Sequence, residues 1–306
     1  MFKVAVIGAS GLLGRAIVRE LVSETDWQVV QTGLRHVGPQ QVALDVRDEA
    51  AVDAFVAREA PDAIVLAAAE RRPDVCENDP AAARALNVDA VRSIARAARP
   101  RGAWVLSIST DYVFDGTQPP YRDGDTPNPL NAYGRSKLEG ERALLEASSH
   151  ALVLRLPLLY GPVVDWQESA VTSLVPAVLA SSQPDAPAAA MDAWATRYPT
   201  FTPDVAFAIR ELLMRCADGH AVCGIAQWSG DEPMTKYQIA QRLARALGVN
   251  ARLLAQTRPA DATPRPRDCH LDSSRLEGLG IGRRTPFDAA IGAVLGGFEA
   301  RSGTAA

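Results

Sequence analysis

Tyr133 and Lys137 stand four residues apart in NAYGRSKLEGE, and Thr110 closes the apolar run AWVLSIST upstream of them. On a helix that spacing puts the phenol and the amine on one face. A free tyrosine has a pKa of about 10 and relays protons poorly at neutral pH, but a fixed cation beside it stabilises the phenolate and lowers that value. The residue types therefore predict Tyr133 as a proton relay and Lys137 as the cation that makes it usable, with Thr110 as the hydroxyl that holds and polarises a carbonyl. Lys137 is also placed to anchor ribose hydroxyls. Such a set delivers a proton to a carbonyl oxygen and requires a hydride donor next to it.

The N-terminus supplies the expected holder of that donor. The run KVAVI leads into Gly8, Gly11 and Gly14 at three-residue spacing, with Ser10, Leu12 and Leu13 between them, and then into the amphipathic stretch LLGRAIVREL. Strand, tight glycine turn and helix in this order form a dinucleotide fingerprint: backbone N–H groups approach a pyrophosphate, and the helix N-terminus adds partial positive charge. The second strand, WQVVQTGLRHVG, ends without the acidic residue that would bind the ribose of NAD; Arg35 stands there instead. A guanidinium grips a 2′-phosphate, so NADP(H) is the expected cofactor. Asp45 and Val46 after a third short strand are expected to flank adenine. Ala67, Ala68 and Ala69 at the end of AIVLAAA are small enough for the dinucleotide to lie against the backbone, and Ser109 borders the same crevice.

These groups need a scaffold, and the chain spells one out. From Met1 to about Ala151, apolar runs (KVAVIG, WQVVQTG, AIVLAAA, AWVLSIS) alternate with Ala-rich amphipathic stretches at Leu13–Val22, Ala50–Glu59, Pro80–Ala98 and Asn131–Ala147, and the rhythm loosens after ALVLRLPLLYGP. Continuous Val/Ile/Leu runs suit strands buried on both faces of a parallel sheet. The expected fold is α/β, a doubly wound parallel (Rossmann) sheet over residues 1–160 with a returning strand near 222–230. Residues 161–306 mostly form a smaller, interleaved substrate-binding lobe, with helices at Pro203–Cys216 and Thr235–Leu247. Composition agrees with a globular enzyme: 306 residues, 47% hydrophobic, formal charge −4. That charge offers no field for nucleic acid or an anionic membrane. No apolar stretch reaches the roughly 18 residues of a membrane helix. Cys76, Cys216, Cys223 and Cys269 form no CxxC pair and the four histidines are scattered, so no metal site is legible and a reduced, cytoplasmic protein is expected.

GASGLLG, STDYVFDG and YGRSK resemble the extended short-chain dehydrogenase/reductases. Within them, PYRDGDTPNPLNAYGRSKLEGE and RPRDCHLDSSRL are similar to the dTDP-4-dehydrorhamnose reductase branch. AAERRPDVCENDP, LRLPLLYGP, QWSGDEPMTKY and LGIGRRTPF resemble a group inside that branch, the regulatory beta subunits of methionine adenosyltransferase. The resemblance implies Thr110, Tyr133 and Lys137 as catalytic. It also implies the glycine loop, Arg35, Asp45, Val46 and Asn87 as cofactor-related, and Asp111 as a neighbour of the reacting carbonyl. Two departures accompany it. Arg155-Leu156-Pro157-Leu158 lacks the tryptophan of the Arg-Thr-Ser-Trp usual in rhamnose reductases, and the chain ends in GGFEARSGTAA rather than a longer aromatic and basic tail. Arg72, following Arg71, Arg197 in WATRYPTF, and Arg267 beside Arg265 are candidates for anionic groups of a substrate. Trp166, Trp194 and Trp228 are expected mainly as packing residues.

The expected activity is an NADPH-dependent reduction of a keto group on a nucleotide-activated sugar. The alternative is an NADP-binding regulatory subunit partnered by a methionine adenosyltransferase catalytic subunit. A homodimer through the helix carrying Tyr133, with Leu138, Leu144 and Leu145, is an open possibility equal to those leucines facing the sheet.

Overall fold

The computed structural model describes residues 1–23, 27–34, 38–259 and 263–303, with backbone alone for 299–303. Its strands are β1 (Lys3–Ile7), β2 (Gln28–Gly33), β3 (Gln41–Ala43), β4 (Ala63–Leu66), β5 (Trp104–Thr110), β6 (Ala151–Leu156), β7 (Leu159–Tyr160), β8 (Ala189–Asp192), β9 (Thr200–Phe201), β10 (Gly224–Gln227) and β11 (Leu253–Gln256). The helices are α1 (Leu12–Val22), α2 (Glu49–Glu59), α3 (Pro73–Asn78), α4 (Pro80–Arg84), α5 (Ala90–Ala98), α6 (Ala132–Ala147), α7 (Val175–Ser181), α8 (Thr202–Ala217), α9 (Lys236–Ala246), α10 (Ser274–Glu277) and α11 (Phe287–Gly303).

Seven strands form one sheet in the order β3-β2-β1-β4-β5-β6-β10, every neighbouring pair parallel. The expected doubly wound parallel sheet is therefore present. Its strands are apolar on both sides because both sides are covered. Val4 and Val6 of β1 pack with Ile17 and Leu21 of α1 and Ile209 and Leu212 of α8. Ala5 and Ile7 face the other way, toward Val52 and Phe55 of α2, Ile94 of α5 and Leu144 of α6. Each such fully buried Val, Leu or Ile contributes about 1.5–3 kcal/mol. Leu144 thus belongs to the intramolecular core.

Strand order reverses between β1 and β4: the chain winds outward through β2 and β3, then from β4 through β5 and β6 on the other side. Loops leaving the carboxyl ends of β1 and β4 diverge there and open a crevice. The second half of the chain contributes to both parts of the molecule. Helix α8 covers the sheet beside α1, and β10 pairs with β6, Ile225 against Val153. A separate core of Tyr160, Val175, Met191, Ile239, Leu243, Phe287 and Ile291 gathers α7, β8, α9 and α11.

The stretch Pro80–Ala98, expected as one helix, is interrupted. A π-helical turn at Ala85–Asp89 separates α4 from α5. The cause is tertiary: the Asn87 amide turns inward to the chain after β4, and its backbone lies against α6 at Gly140. Among the described residues no helix is long and apolar enough to cross a membrane.

Candidate active site

The glycine turn at the end of β1 is built around close backbone approach. Gly8 has φ +86°, and a Cβ there would stand 2.8 Å from the Ala68 nitrogen in the loop after β4. A Cβ on Gly14 would stand 2.1 Å from the Gly8 oxygen, so only glycine lets α1 start this near the turn. Helix α1 is capped by Gly11 with no side-chain hydrogen bond and carries no acidic residue in its first turn. Its leading N–H groups, on Leu12 and Leu13, have no carboxylate to meet, which suits an anionic group. Ser10 lies inside the turn, and Ala67, Ala68 and Ala69 form the opposite wall; the Ala67 N–H donates to Ile7 O at 2.9 Å. A pyrophosphate fits this cradle in both shape and hydrogen-bonding character.

The residues expected to flank adenine are less uniform. Asp45 accepts two bonds from the Arg47 guanidinium, at 2.8 and 2.6 Å, and that pairing holds its carboxyl below the usual range. Val46 is buried. Arg35 lies outside the described residues, so its bearing on a 2′-phosphate rests on the sequence.

Thr110 ends β5 with its hydroxyl in a dense network. It accepts from the Tyr112 N–H at 3.2 Å, donates to Asp111 Oδ1 at 3.1 Å, and lies close enough to the Tyr133 phenol to lower its pKa. Tyr133 sits in the first turn of α6. That helix starts where Asn131 Oδ1 accepts from the Gly134 N–H at 2.9 Å, while the Asn131 amide donates to Pro264 O at 2.9 Å. The same cap therefore sets the helix start and ties it to a loop from the second half of the chain. Tyr112 meets Tyr133 edge-on, centroids 5.8 Å apart, and Arg197 lies over the Tyr112 ring at 5.7 Å. Thr110, Tyr133 and Lys137, chosen from sequence, are thus on two elements that converge at the carboxyl edge of the sheet.

Burial governs the electrostatics. It pushes the Tyr133 phenol up, outweighing the lowering influence of Thr110, and it draws Lys137 down to about 8. Both shifts favour the neutral form. Burial, rather than Lys137, dominates the Tyr133 phenol and favours its protonated form. Asp111 is also driven up by burial, to about 6, with Arg197 and Thr110 opposing. Cys76, buried on α3 and close enough to influence both Tyr133 and Lys137, is raised to about 11, mainly by desolvation.

Other candidates divide by what already holds them. Asn87 is fully engaged: its amide donates to Glu70 O and Ser136 Oγ, both at 3.0 Å, and its Oδ1 accepts from Glu70 N. It fixes the loop after β4. Ser109 donates to Glu141 Oε1 at 2.5 Å, turned into the protein. Arg72 is exposed and spends its guanidinium on both Glu70 oxygens, at 2.9 and 2.8 Å. Arg197 is buried, donating to Thr196 O and Pro266 O at 2.9 and 3.0 Å. Arg267 is exposed, and its backbone carbonyl accepts from Thr196 N. A cavity of about 220 Å³ opens in the second lobe, walled by Met191, Asp192, Trp194, Lys236, Arg258 and Arg265. Trp194 is therefore a wall residue, whereas Trp228 is fully buried.

Sequence reasoning missed Glu141 and Arg155. Their carboxylate and guanidinium pair at 2.9 and 2.7 Å, almost wholly buried behind Lys137. The available signal was Glu141 one turn beyond Lys137 on the same helix face. Among the described residues no cluster of His, Cys, Asp and Glu could hold a metal.

Residues 2–299 match the family described as RmlD substrate binding domain. The chain belongs to the RmlD family. Methionine adenosyltransferase 2 subunit beta of Bos taurus is 46% identical over 290 residues, covering 93% of this chain and 84% of that protein. A Streptomyces antibioticus protein named as a probable dTDP-4,6-dihydroxy-2-methyloxan-3-one 4-ketoreductase is 34% identical over 283 residues, 90% of this chain and 88% of its own. A dTDP-4-dehydrorhamnose reductase from Bacillus anthracis, solved in complex with NADP, superposes with TM-score 0.83 at 23% identity, covering 96% and 98% of the two chains. Proteins similar to this chain thus include one named as a probable ketoreductase and one named as a methionine adenosyltransferase subunit.

Proposed function

We propose that this chain is an NADPH-dependent reductase of a keto group on a nucleotide-linked sugar. The observation that carries the reading is the convergence of Thr110, at the carboxyl end of β5, with Tyr133 and buried Lys137, one turn apart on α6. When bound, the reduced nicotinamide supplies the hydride. Tyr133, held protonated by burial, is the proton donor to the carbonyl oxygen. Thr110 orients that oxygen, Lys137 holds the ribose and steadies the charge left on the phenol, and Asp111 lies beside the reacting carbon. The glycine turn binds the pyrophosphate, and Arg35 selects the phosphorylated cofactor. The NADP in the B. anthracis neighbour and the ketoreductase name of the Streptomyces relative support this reading.

Residues 1–160 are assigned to cofactor binding and most of 161–306 to the substrate. The cavity at Trp194, with Arg258 and Arg265 on its wall and Arg267 on the adjoining loop, is assigned to the nucleotide end of the substrate, and buried Arg197 to positioning. Arg72, already paired, is left out. The test is NADPH consumption across a panel of nucleotide-linked 4-keto sugars. At least one substrate is expected to be turned over, and Tyr133→Phe is expected to abolish turnover while changing NADPH affinity less than about twofold. NADPH bound with no keto sugar reduced would remove the reductase reading.

A second reading rests on the 46% identity to a methionine adenosyltransferase subunit: association with a methionine adenosyltransferase catalytic subunit. Its test is co-purification at micromolar concentration, where failure to associate overturns it.

A further inference from the structure

Between buried Val163 and buried Ser169 the chain forms an arch, Val164–Glu168, ending in a short 3₁₀ turn. Three contacts reach out from it. Both Glu168 carboxylate oxygens receive the Arg15 guanidinium, at 3.0 and 2.6 Å, and Oε2 also accepts from Val164 N at 2.9 Å. Gln167 O accepts from Arg71 in the loop after β4 at 3.5 Å. The Trp166 ring stacks on Phe298 of α11, centroids 3.6 Å apart and planes 27° from parallel. Arg15 belongs to the first turn of α1, and its Nη1 also donates to Ser10 O inside the glycine turn at 2.7 Å. The arch thus runs from the first turn of α1, beside the glycine turn, to the loop after β4, the two sides of the crevice, and on to the last helix.

We propose that Val164–Glu168 is a strap across the crevice, latched by Glu168 to Arg15, and that Arg15 transfers to the phosphates of a bound pyridine dinucleotide, freeing the strap and loosening the Trp166–Phe298 stack. This rests on the reading of the glycine turn as a dinucleotide site. Arg15 shares the first turn of α1 with the leading N–H groups of Leu12 and Leu13, so a pyrophosphate seated on them lies within the field of its guanidinium. The same pyrophosphate repels the Glu168 carboxylate. Attraction and repulsion therefore act in one direction.

The pair is poised to exchange. Its side chains are 28% and 23% exposed, against 1% and 4% for Arg155 and Glu141. A half-wet pair is held weakly, while a fully buried one is costly to break. The ends of the strap are firm: Val163 is buried, and Ser169 and Thr172 are joined hydroxyl to hydroxyl at 2.9 Å, with Thr172 donating to Trp166 O at 2.7 Å. Displacement of Glu168 thus falls on the residues between, and the rigid Trp166 ring carries it to Phe298. Cofactor occupancy and packing of the chain's last helix become reciprocally coupled.

The experiment is NADPH and NADH titration of the full chain with amide hydrogen exchange over residues 287–298. Glu168→Gln is expected to tighten binding of both nucleotides about three- to fivefold, the scale of a half-exposed ion pair. Arg15→Ala is expected to weaken both alike, since the pyrophosphate is common to them, and to make a second Glu168→Gln change silent. Arg15→Lys, which keeps the charge, guards against a folding defect and is expected to fall between. In the wild type, NADPH is expected to speed exchange in α11. Unchanged or weaker binding by Glu168→Gln, or α11 exchange indifferent to bound NADPH, overturns the strap. A wild-type chain that binds neither nucleotide overturns the dinucleotide reading and the strap with it.

Discussion

Tyr133 and Lys137 illustrate how burial reshapes a pair chosen by spacing. The phenol is held protonated, and the amine, drawn down to about 8, keeps its proton at neutral pH with little margin. A protonated phenol suits delivery of a proton to a carbonyl, and an ammonium is needed to stabilise what remains. Reduction measured as kcat/KM is therefore expected to fall about tenfold per pH unit above about 8, and a flat profile from pH 7 to 10 would remove Lys137 from that role. For stability the sign is the reverse: between about 8 and the ordinary 10.5 the unfolded chain holds more protons, so the contribution of Lys137 rises with pH in that window. Asp111 titrates lower. Its pKa is raised from 3.8 to about 6, so the folded chain binds the extra proton, and the resulting stability, full below about 3.8, is lost as pH rises through 6. Denaturant melts of the wild type against Asp111→Asn at pH 4 and pH 7 are expected to differ by on the order of 2–3 kcal/mol in this direction.

At the scale of elements, the join between β1 and α1 is the most demanding. The first turn of α1 lies so near the Gly8 carbonyl that any side chain at position 14 must push the helix away. Gly14→Ala is expected to destabilise the fold by about 1–3 kcal/mol and to weaken NADPH binding by more than tenfold. Gly292→Ala in α11, where a Cβ meets nothing within 4 Å, is the matched control and is expected to be neutral or stabilising by up to about 1 kcal/mol. Thermal melts and NADPH titration of the two variants separate them. The glycine turn was legible because its requirement is local, a matter of backbone sterics over a few residues. The break between α4 and α5 was not. Its cause is a contact between Asn87 and residues seventeen positions earlier and forty-nine later, and the Ala-rich sequence around it reads as uninterrupted helix.

Across the whole molecule, one buried ion pair joins β5, β6 and α6. Arg155 meets Glu141, Glu141 receives Ser109, and Arg155 lies over Phe114 at 5.1 Å. Arg155→Met leaves a buried carboxylate without its partner and is expected to cost about 3–5 kcal/mol, with most of it recovered in the double variant Arg155→Met/Glu141→Met. Chemical denaturation of the three proteins checks this, and a double variant as unstable as the single would contradict it. The amino-acid order alone determined the parallel sheet, the glycine turn, and the placing of Thr110, Tyr133 and Lys137 at one edge. Those features follow from apolar periodicity and from the reach of a single turn or helix. Tertiary structure decided which polar groups are already spent: Arg72 on Glu70, Asp45 on Arg47, Ser109 on Glu141, and Arg15 on Glu168 across 153 residues of chain. It also decided the charge of Tyr133 and Lys137. Desolvation and pairing depend on every neighbour packed around a group, and for these residues many of those neighbours come from distant parts of the chain.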